Sequence, residues 1–495
     1  MKNIFASLFG LLLVMSIVSC DDYLDINDDP NNPSSVPATL TLPAAQMTIA
    51  TTLSSDYAVL GGIWAQHWTQ SHVASQYRDE DRYDLTLLDY QTPWSELYAG
   101  ALIDLRKIEA EAVSTGNWNL NLQAVCLTAF TYQLLVDWYS DVPYAQSLQG
   151  EGGVVAPQYQ AGSEIYADLV VRLDAALAQD FSGDGVTQIS SDFVFGSLSE
   201  ADQIAAWTQF ANTLKLKLWL RQTKVNNAAA GTAISTLLTN GNFLTQDAKV
   251  DVFTDLPDKS NPLYESNARQ LNVKTNLRGS RTFISWLQEN NDPRLDAYFT
   301  PGTTGHFGLW QGWFDAPTTV VAEQQPDVAI LSPTQPVYFF SADEVMFMVA
   351  EANARYGSAS EAQAFYEAGT NAACERVGTD CSAMVAAGGI YEYPNGSLQE
   401  NIKAIITQKW ASLVYRGYEA FWDHNRTGVP AISSTPIIDP TNPPAVVPGE
   451  FTWSVGGKTA AGVFPKRLIY PESERNTNQN IPAEVGLTVP VWWAQ

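Results

Sequence analysis

Apolar residues recur at three- and four-residue intervals through most of the chain. Trp207, Phe210, Ala211, Leu214 and Leu218 share one face of a helix predicted to begin near Trp207, with Lys215, Lys217 and Arg221 turned away from it. Val345, Met348, Val349 and Ala352 mark another helix, opened by Ser341 with Glu344 as a capping box and stopped at Gly357. Ser360 starts a partner helix through Ala364, Ala368 and Ala372, whose small side chains allow close packing. Ile402, Ile405, Ile406, Lys409 and Leu413 repeat the stripe, and further helices are predicted from about Tyr90 to Val113 and Leu120 to Trp138. Helix pairs joined by short turns predict a mostly α fold of stacked, tetratricopeptide-like hairpins, without a consensus at fixed period. Long excursions rich in Gly, Pro and aromatic residues interrupt it at Val250 to Gly279, Thr300 to Pro336 and Gly428 to Val463. Loops that long in a compact body are usually functional and are expected to carry the ligand site.

The first residues follow a different pattern. Lys2 precedes an apolar run from Ile4 to Val18, too short for a spanning helix and read as a secretory signal over residues 1–19. Ile17-Val18-Ser19-Cys20 resembles the site at which bacterial lipoproteins are cleaved and lipidated, making Cys20 the expected acyl anchor. The competing reading is a plain signal peptide with an incidental Cys. A polar, turn-rich tether is expected over residues 20–43, and the helical body over residues 44–495.

Composition narrows the function. The chain has 53 acidic against 27 basic residues, a net charge of −26, which speaks against nucleic acid and anionic membrane surfaces as partners. Fifteen Trp and 21 Tyr are a large stock of amphipathic rings. Cys374 and Cys381 are placed to close a small loop in an oxidising compartment, whereas Cys126 lies in an apolar helical segment and reads as buried and inert.

Two stretches mix flat rings with amides, carboxylates and guanidinium groups, as recognition of a sugar requires. The first runs from Trp64 to Tyr83. Trp64 and Trp68 have helical spacing and share a face that is either core or ligand surface, while Tyr77, Arg78, Asp79 and Tyr83 form a charged loop. The second gathers His306, Phe307, Trp310, Gln311, Trp313, Phe314 and Asp315 between glycines and is expected to be an exposed stacking platform. No cofactor is expected. Asp180-x-Ser182-x-Asp184-Gly185 matches half a calcium loop but lacks the twelfth-position Glu, so an ordinary turn is the leading reading and calcium the alternative. Val455-Gly456-Gly457-Lys458-Thr459 reads as a hairpin turn rather than a phosphate loop. No Gly-x-Ser-x-Gly elbow or His-Glu-x-x-His motif occurs; a two-carboxylate glycosidase stays open as the enzyme alternative.

An ordered set of fragments resembles the SusD/RagB family of nutrient-binding outer-membrane lipoproteins of Bacteroidetes, particularly its SusD-like type-two branch. The set comprises Asp25-Ile26-Asn27 with Asp29-Pro30-Asn31-Asn32-Pro33, then Trp94-x-x-x-Tyr98, and Asp137-Trp138-Tyr139-Ser140-Asp141-Val142-Pro143-Tyr144. Trp207-x-x-Phe210-Ala211-Asn212-x-Leu214-Lys215-Leu216, Asn291-Asp292-Pro293-Arg294 and Arg416-Gly417-Tyr418-Glu419 complete it. Most of these motif residues are expected to hold the fold, Asn212 by bonding a neighbouring loop. The resemblance implies a tetratricopeptide scaffold, a lipid anchor at the cell surface, no catalysis, and a SusC-like TonB-dependent transporter as partner. Asp21 and Asp22 after the anchor resemble the family's surface-export signal; inner-membrane retention is the competing reading. Capture of a neutral glycan is the favoured function. Peptide capture, and a lid whose ligand site exists only with the transporter, are the alternatives.

Overall fold

The computed structural model describes residues 36–495. The leader, Cys20 and the tether up to residue 35 lie outside the described residues. The chain then runs through helices α1 (Ala38–Ser54), α2 (Asp56–Trp64), α3 (Arg78–Arg82) and α4 (Gln91–Ser95). A π-helical turn, Glu96–Leu102, joins α4 to α5 (Ile103–Thr115), followed by α6 (Trp118–Tyr139), α7 (Gly162–Leu177), α8 (Glu200–Arg221) and α9 (Asn227–Asn240). Then come α10 (Arg281–Glu289), α11 (Ala342–Tyr356), α12 (Ala359–Arg376), α13 (Leu398–Ser412) and α14 (Gly417–Thr427). None of the described helices is long and apolar enough to cross a membrane.

Local signals set the hairpins. Gly116 ends α5 in the left-handed region at φ 68°, and Asn117 caps α6 by accepting the Leu120 N–H at 3.3 Å. That two-residue turn folds α6 back on α5. Consecutive packing of α5 on α6, α6 on α8, α8 on α9, α9 on α11 and α11 on α12 builds the stacked-hairpin body. Strands are short. A four-stranded antiparallel sheet joins Trp68–Gln70, Leu277–Gly279, Val328–Ala329 and Phe299–Thr300 in that spatial order, tying the loops before α3 and after α10 together.

Several expectations change. Helix α1 starts at Ala38, inside the anticipated tether, because Leu42, Ala45, Gln46, Ile49 and Leu53 form a buried stripe that carries the helix through Pro43. The capping box lies at Ser397 and Glu400 of α13; Glu344 is instead buried and ion-paired, and α12 is capped by Ser358 rather than Ser360. Beside Asn212, it is Thr213 that accepts a loop N–H, from Leu244 at 3.0 Å. Cys374 and Cys381 are disulfide-bonded, and Cys126 is buried, which pushes its thiol pKa up. Asp180 accepts both the N–H and hydroxyl of Ser182 (2.9 and 2.6 Å), a local turn, and among the described residues no group of His, Cys, Asp and Glu is arranged to hold a metal ion.

The charged face of α8 is itself partly covered. Lys217 and Arg221 do not face water; each is 2% exposed. Lys217 pairs with Glu419 at 2.7 Å and Glu344 at 3.3 Å, and Arg221 with Asp137 at 3.1 Å and Asp423 at 2.9 Å. Lys409 and Arg426 both hold Asp423 at 2.8 Å, Arg426 also holds Glu351, and Arg416 holds Glu344. Burial alone would raise the Glu351 carboxyl, but the charges of Arg426 and Arg355 outweigh it and bring it down to about 2. A depressed carboxyl stabilises the fold above its unfolded pKa near 4.5, and that contribution is lost as pH falls towards 2. Replacing Glu351→Gln leaves Arg426 buried with half its partners, and a loss of about 3 kcal/mol is expected in urea denaturation at pH 7. The penalty should shrink as the pH is lowered from 5 to 3, since wild type forfeits the same interaction.

Candidate functional site

The two stretches singled out in the sequence meet. Helix α3 ends at Tyr83, whose φ of 61° is the left-handed stop usually given to glycine. Arg78 and Arg82, four residues apart, leave one face of α3 and lay their guanidinium groups over the Phe314 ring at 4.4 and 3.8 Å. Arg82 also approaches the exposed Asp315 carboxylate at 3.6 Å. A third segment closes on them. The Lys458 N–H donates to the Arg82 carbonyl and the Val455 N–H to the Gln311 carbonyl, both at 2.8 Å. The expected hairpin at Val455–Thr459 is thus a turn docked on the other two loops.

Asp81 lies beneath this junction with no exposure. Its Oδ2 accepts from Thr69 Oγ1 (2.7 Å), Gly312 N–H (2.8 Å) and Gln70 N–H (3.3 Å), and its Oδ1 from Gln311 Nε2 (3.2 Å). Burial pushes this carboxyl up to about 7, although the accepted hydrogen bonds oppose the shift. Gln66 acts as a second clamp. Its Nε2 donates to the Thr452 carbonyl (2.6 Å) while its Oε1 accepts from Thr452 N–H (3.0 Å) and Thr282 Oγ1 (2.6 Å). Backbone groups of three loops are satisfied by these two side chains, so the loops have one register.

The remaining candidates divide. Trp310 and Trp313 are 8% and 6% exposed, so the expected open platform is absent. Their rings join Leu309, Ala316, Val321 and Ile437 in a small core between the 300–336 and 428–463 loops. Trp68 is fully buried in its strand, its Nε1 donating to the Val59 carbonyl (3.4 Å), and does not share a helical face with Trp64, because α2 ends there and Gln66 turns the chain at φ 56°. Tyr83 is buried. Tyr77 is half-buried and donates to Asn267 Oδ1 at 2.8 Å, and Asp79 is exposed. His306 is held between Asp327 (2.5 Å) and Asp296 (2.9 Å). Burial disfavours its imidazolium, but the two carboxylates outweigh burial and raise its pKa. Phe307 is half-buried, with Arg281 above its ring at 5.7 Å. The partly open groups are therefore Tyr77, Arg78, Asp79, Arg82, His306, Phe307 and Asp315, with half-buried Trp453 from the third loop. Arg82 and Trp453 were not picked out in the sequence; the i, i+4 spacing of Arg82 from Arg78 was the available signal.

The profile of the SusD-like family described as "Starch-binding associating with outer membrane" matches residues 30–453. The chain belongs to this SusD-like family. Solved structures share the fold. A chitin-binding SusD homologue from Flavobacterium johnsoniae superposes with a TM-score of 0.73 at 20% identity, over 92% of this chain and 98% of that one. A SusD homologue from Bacteroides fragilis gives 0.74 at 18% identity over 93% and 100%, and one from Bacteroides uniformis 0.70 at 22% identity over 92% and 99%. No curated protein matches the chain.

In this SusD-like protein the junction carries its own pH signature. A carboxyl with a raised folded pKa stabilises the fold in its protonated form, a contribution complete below the unfolded value of 3.8 and lost as pH rises through about 7. The wild type is expected to melt ~1–2 °C lower at pH 8 than at pH 6, with Asp81→Asn reducing that difference. Differential scanning calorimetry of both proteins at the two pH values checks this.

Proposed function

We propose that this chain is a cell-surface glycan-binding lipoprotein, anchored at Cys20 and followed by a tether to a single helical body. It captures an oligo- or polysaccharide and hands it to a SusC-like TonB-dependent transporter without chemistry of its own. The observation that carries this reading is the pair of guanidinium groups, Arg78 and Arg82, fixed over Phe314 beside Asp315. A guanidinium fork donates to adjacent hydroxyls, a carboxylate accepts from them, and the neighbouring half-buried rings offer apolar surface to a sugar face. Family membership and the chitin-binding homologue of like fold support a saccharide as the ligand class.

Affinity electrophoresis of the protein through gels containing soluble starch or glycol chitin tests the site. Retardation by one of them, weakened tenfold or more (about 1.4 kcal/mol) in Arg82→Ala and Arg78→Ala with melting unchanged, is the expected result. Unaltered retardation in both variants, or binding confined to peptide digests, would overturn the assignment. For the anchor, Cys20→Ser should release the protein from the membrane fraction of the producing cell, and persistence there would sink the lipoprotein reading.

A further inference from the structure

Two family-like motifs, Trp94-x-x-x-Tyr98 and Asp141-Val142-Pro143-Tyr144, have no part in the loop junction, yet they line one groove. The groove has two lobes of about 340 and 360 Å³ that share Ser147 and Leu148 as a common wall. Each volume lies within the roughly 300–1,000 Å³ common for ligand sites. Trp94 and Tyr98 line the first lobe, Tyr132 and Tyr144 the second. The four rings run in sequence, with centroids 5.0 Å apart for Trp94 and Tyr98, 6.2 Å for Tyr98 and Tyr132, and 4.7 Å for Tyr132 and Tyr144. Every phenol is tied back: Tyr98 to the Pro143 carbonyl (2.7 Å), Tyr132 to Ser147 Oγ (2.7 Å) and Tyr144 to Asp168 (2.5 Å). Of the four, only Tyr98 is half-buried; Trp94, Tyr132 and Tyr144 are buried and form the wall that holds the Tyr98 ring in place before any ligand arrives.

Two backbone irregularities fall on the same groove. The π-helical turn Glu96–Leu102 supplies Tyr98 and Ala99 to the first lobe and Leu102 to the second. Such turns cost regular helix hydrogen bonding and are frequent at functional sites. Leu148, at the shared wall, stands at φ 61°, a conformation unfavourable for a side chain of its size. Its carbonyl is fastened by Arg106. The lining carries two guanidinium groups, Arg106 and Arg172, against three carboxylates, and these are engaged within the protein: Arg172 grips Glu109 through two contacts of 2.8 and 2.6 Å, and Asp168 and Glu474 accept from tyrosines. A groove of this composition selects no ion and suits a hydroxyl-rich, uncharged chain.

We infer that this groove is a second saccharide-binding site, separate from the Arg78–Arg82–Phe314 junction, which takes a neutral oligosaccharide segment. The ligand class rests on the glycan reading of the chain; the location does not. Isothermal titration calorimetry of the full body with chitohexaose and with maltohexaose tests it. Wild type is expected to bind two molecules of one of them. Ala99→Trp, from an exposed position that fills the first lobe, and Arg106→Ala, a second exposed change that frees Leu148, should each leave one site or weaken one at least tenfold. The loop variant Arg82→Ala should remove the other. Loss of binding in Arg82→Ala alone, with both groove variants unchanged, overturns this inference and leaves the junction standing. Loss in the groove variants alone overturns the junction and keeps the groove. Absence of binding to either hexasaccharide in wild type counts against both.

Discussion

The buried ion lattice around Asp423 is the constraint on which the rest of the architecture hangs. Five cations, Lys217, Arg221, Lys409, Arg416 and Arg426, meet five carboxylates, Asp137, Glu344, Glu351, Glu419 and Asp423, contributed mainly by α6, α8, α11, α13 and α14. Desolvating so many charges is costly, and hydrophobic replacements could match the lattice in stability. What it provides is register: sliding or rotating any of these helices by one residue would leave a buried charge unpaired. The lattice also reaches the chain end, since Trp493 Nε1 donates to Asp137 at 2.7 Å. Helix α14, fixed in this way, meets α2 backbone to backbone. A Cβ on Gly61 would lie 2.0 Å from the Tyr418 nitrogen, and one on Gly417 2.4 Å from the Gly62 nitrogen. Only glycine permits that approach. Helix α2 in turn leads into Gln66, the Trp68 strand and Asp81, so the loop junction is referenced to the charged core through two glycines.

The helices were legible because their stripes are local. Trp207, Phe210, Ala211, Leu214 and Leu218 are all buried as their spacing requires. The burial of Lys217 and Arg221 on the same helix was not legible, because periodicity tells which residues share a face, not whether another helix covers it. The partners of Lys217 and Arg221 on α14 lie about two hundred residues away in sequence, and no local pattern announces them. The aromatic loop failed for a related reason. Glycines around Trp310 and Trp313 looked like exposure, but Val321 and Ile437 supply apolar partners from two separate loops, and a small satellite core forms. Juxtaposition of the Tyr77–Tyr83 and His306–Asp315 stretches depended on Asp81 accepting the Gly312 N–H, a contact across more than two hundred residues.

The groove shows the converse. Trp94, Tyr98, Pro143 and Tyr144 stood in motifs expected to hold the fold, which Tyr98 and Tyr144 do through their hydrogen bonds, whereas Tyr132 and the charged lining stood in none. Tyr98 spends its hydroxyl on the Pro143 carbonyl and keeps part of its ring open, so structural and binding roles are compatible in that residue, while Trp94, Tyr132 and Tyr144 are buried behind it. The same division appears at the junction, where Asp81 and Gln66 are committed to backbone and side-chain groups of the loops while Arg78 and Arg82 stay half-buried over Phe314.

Geometry gives two such sites a consequence for a polymeric ligand. Twelve residues separate Arg82 from Trp94, so the junction and the groove lie within roughly 40 Å of each other however the intervening chain is folded. A polysaccharide long enough to span that distance would meet the second site as an intramolecular partner once held by the first, and its apparent affinity would rise without any new contact. A short oligosaccharide gains nothing from the arrangement. Preference for long chains would then follow from the spacing of two sites on one body rather than from one deep pocket.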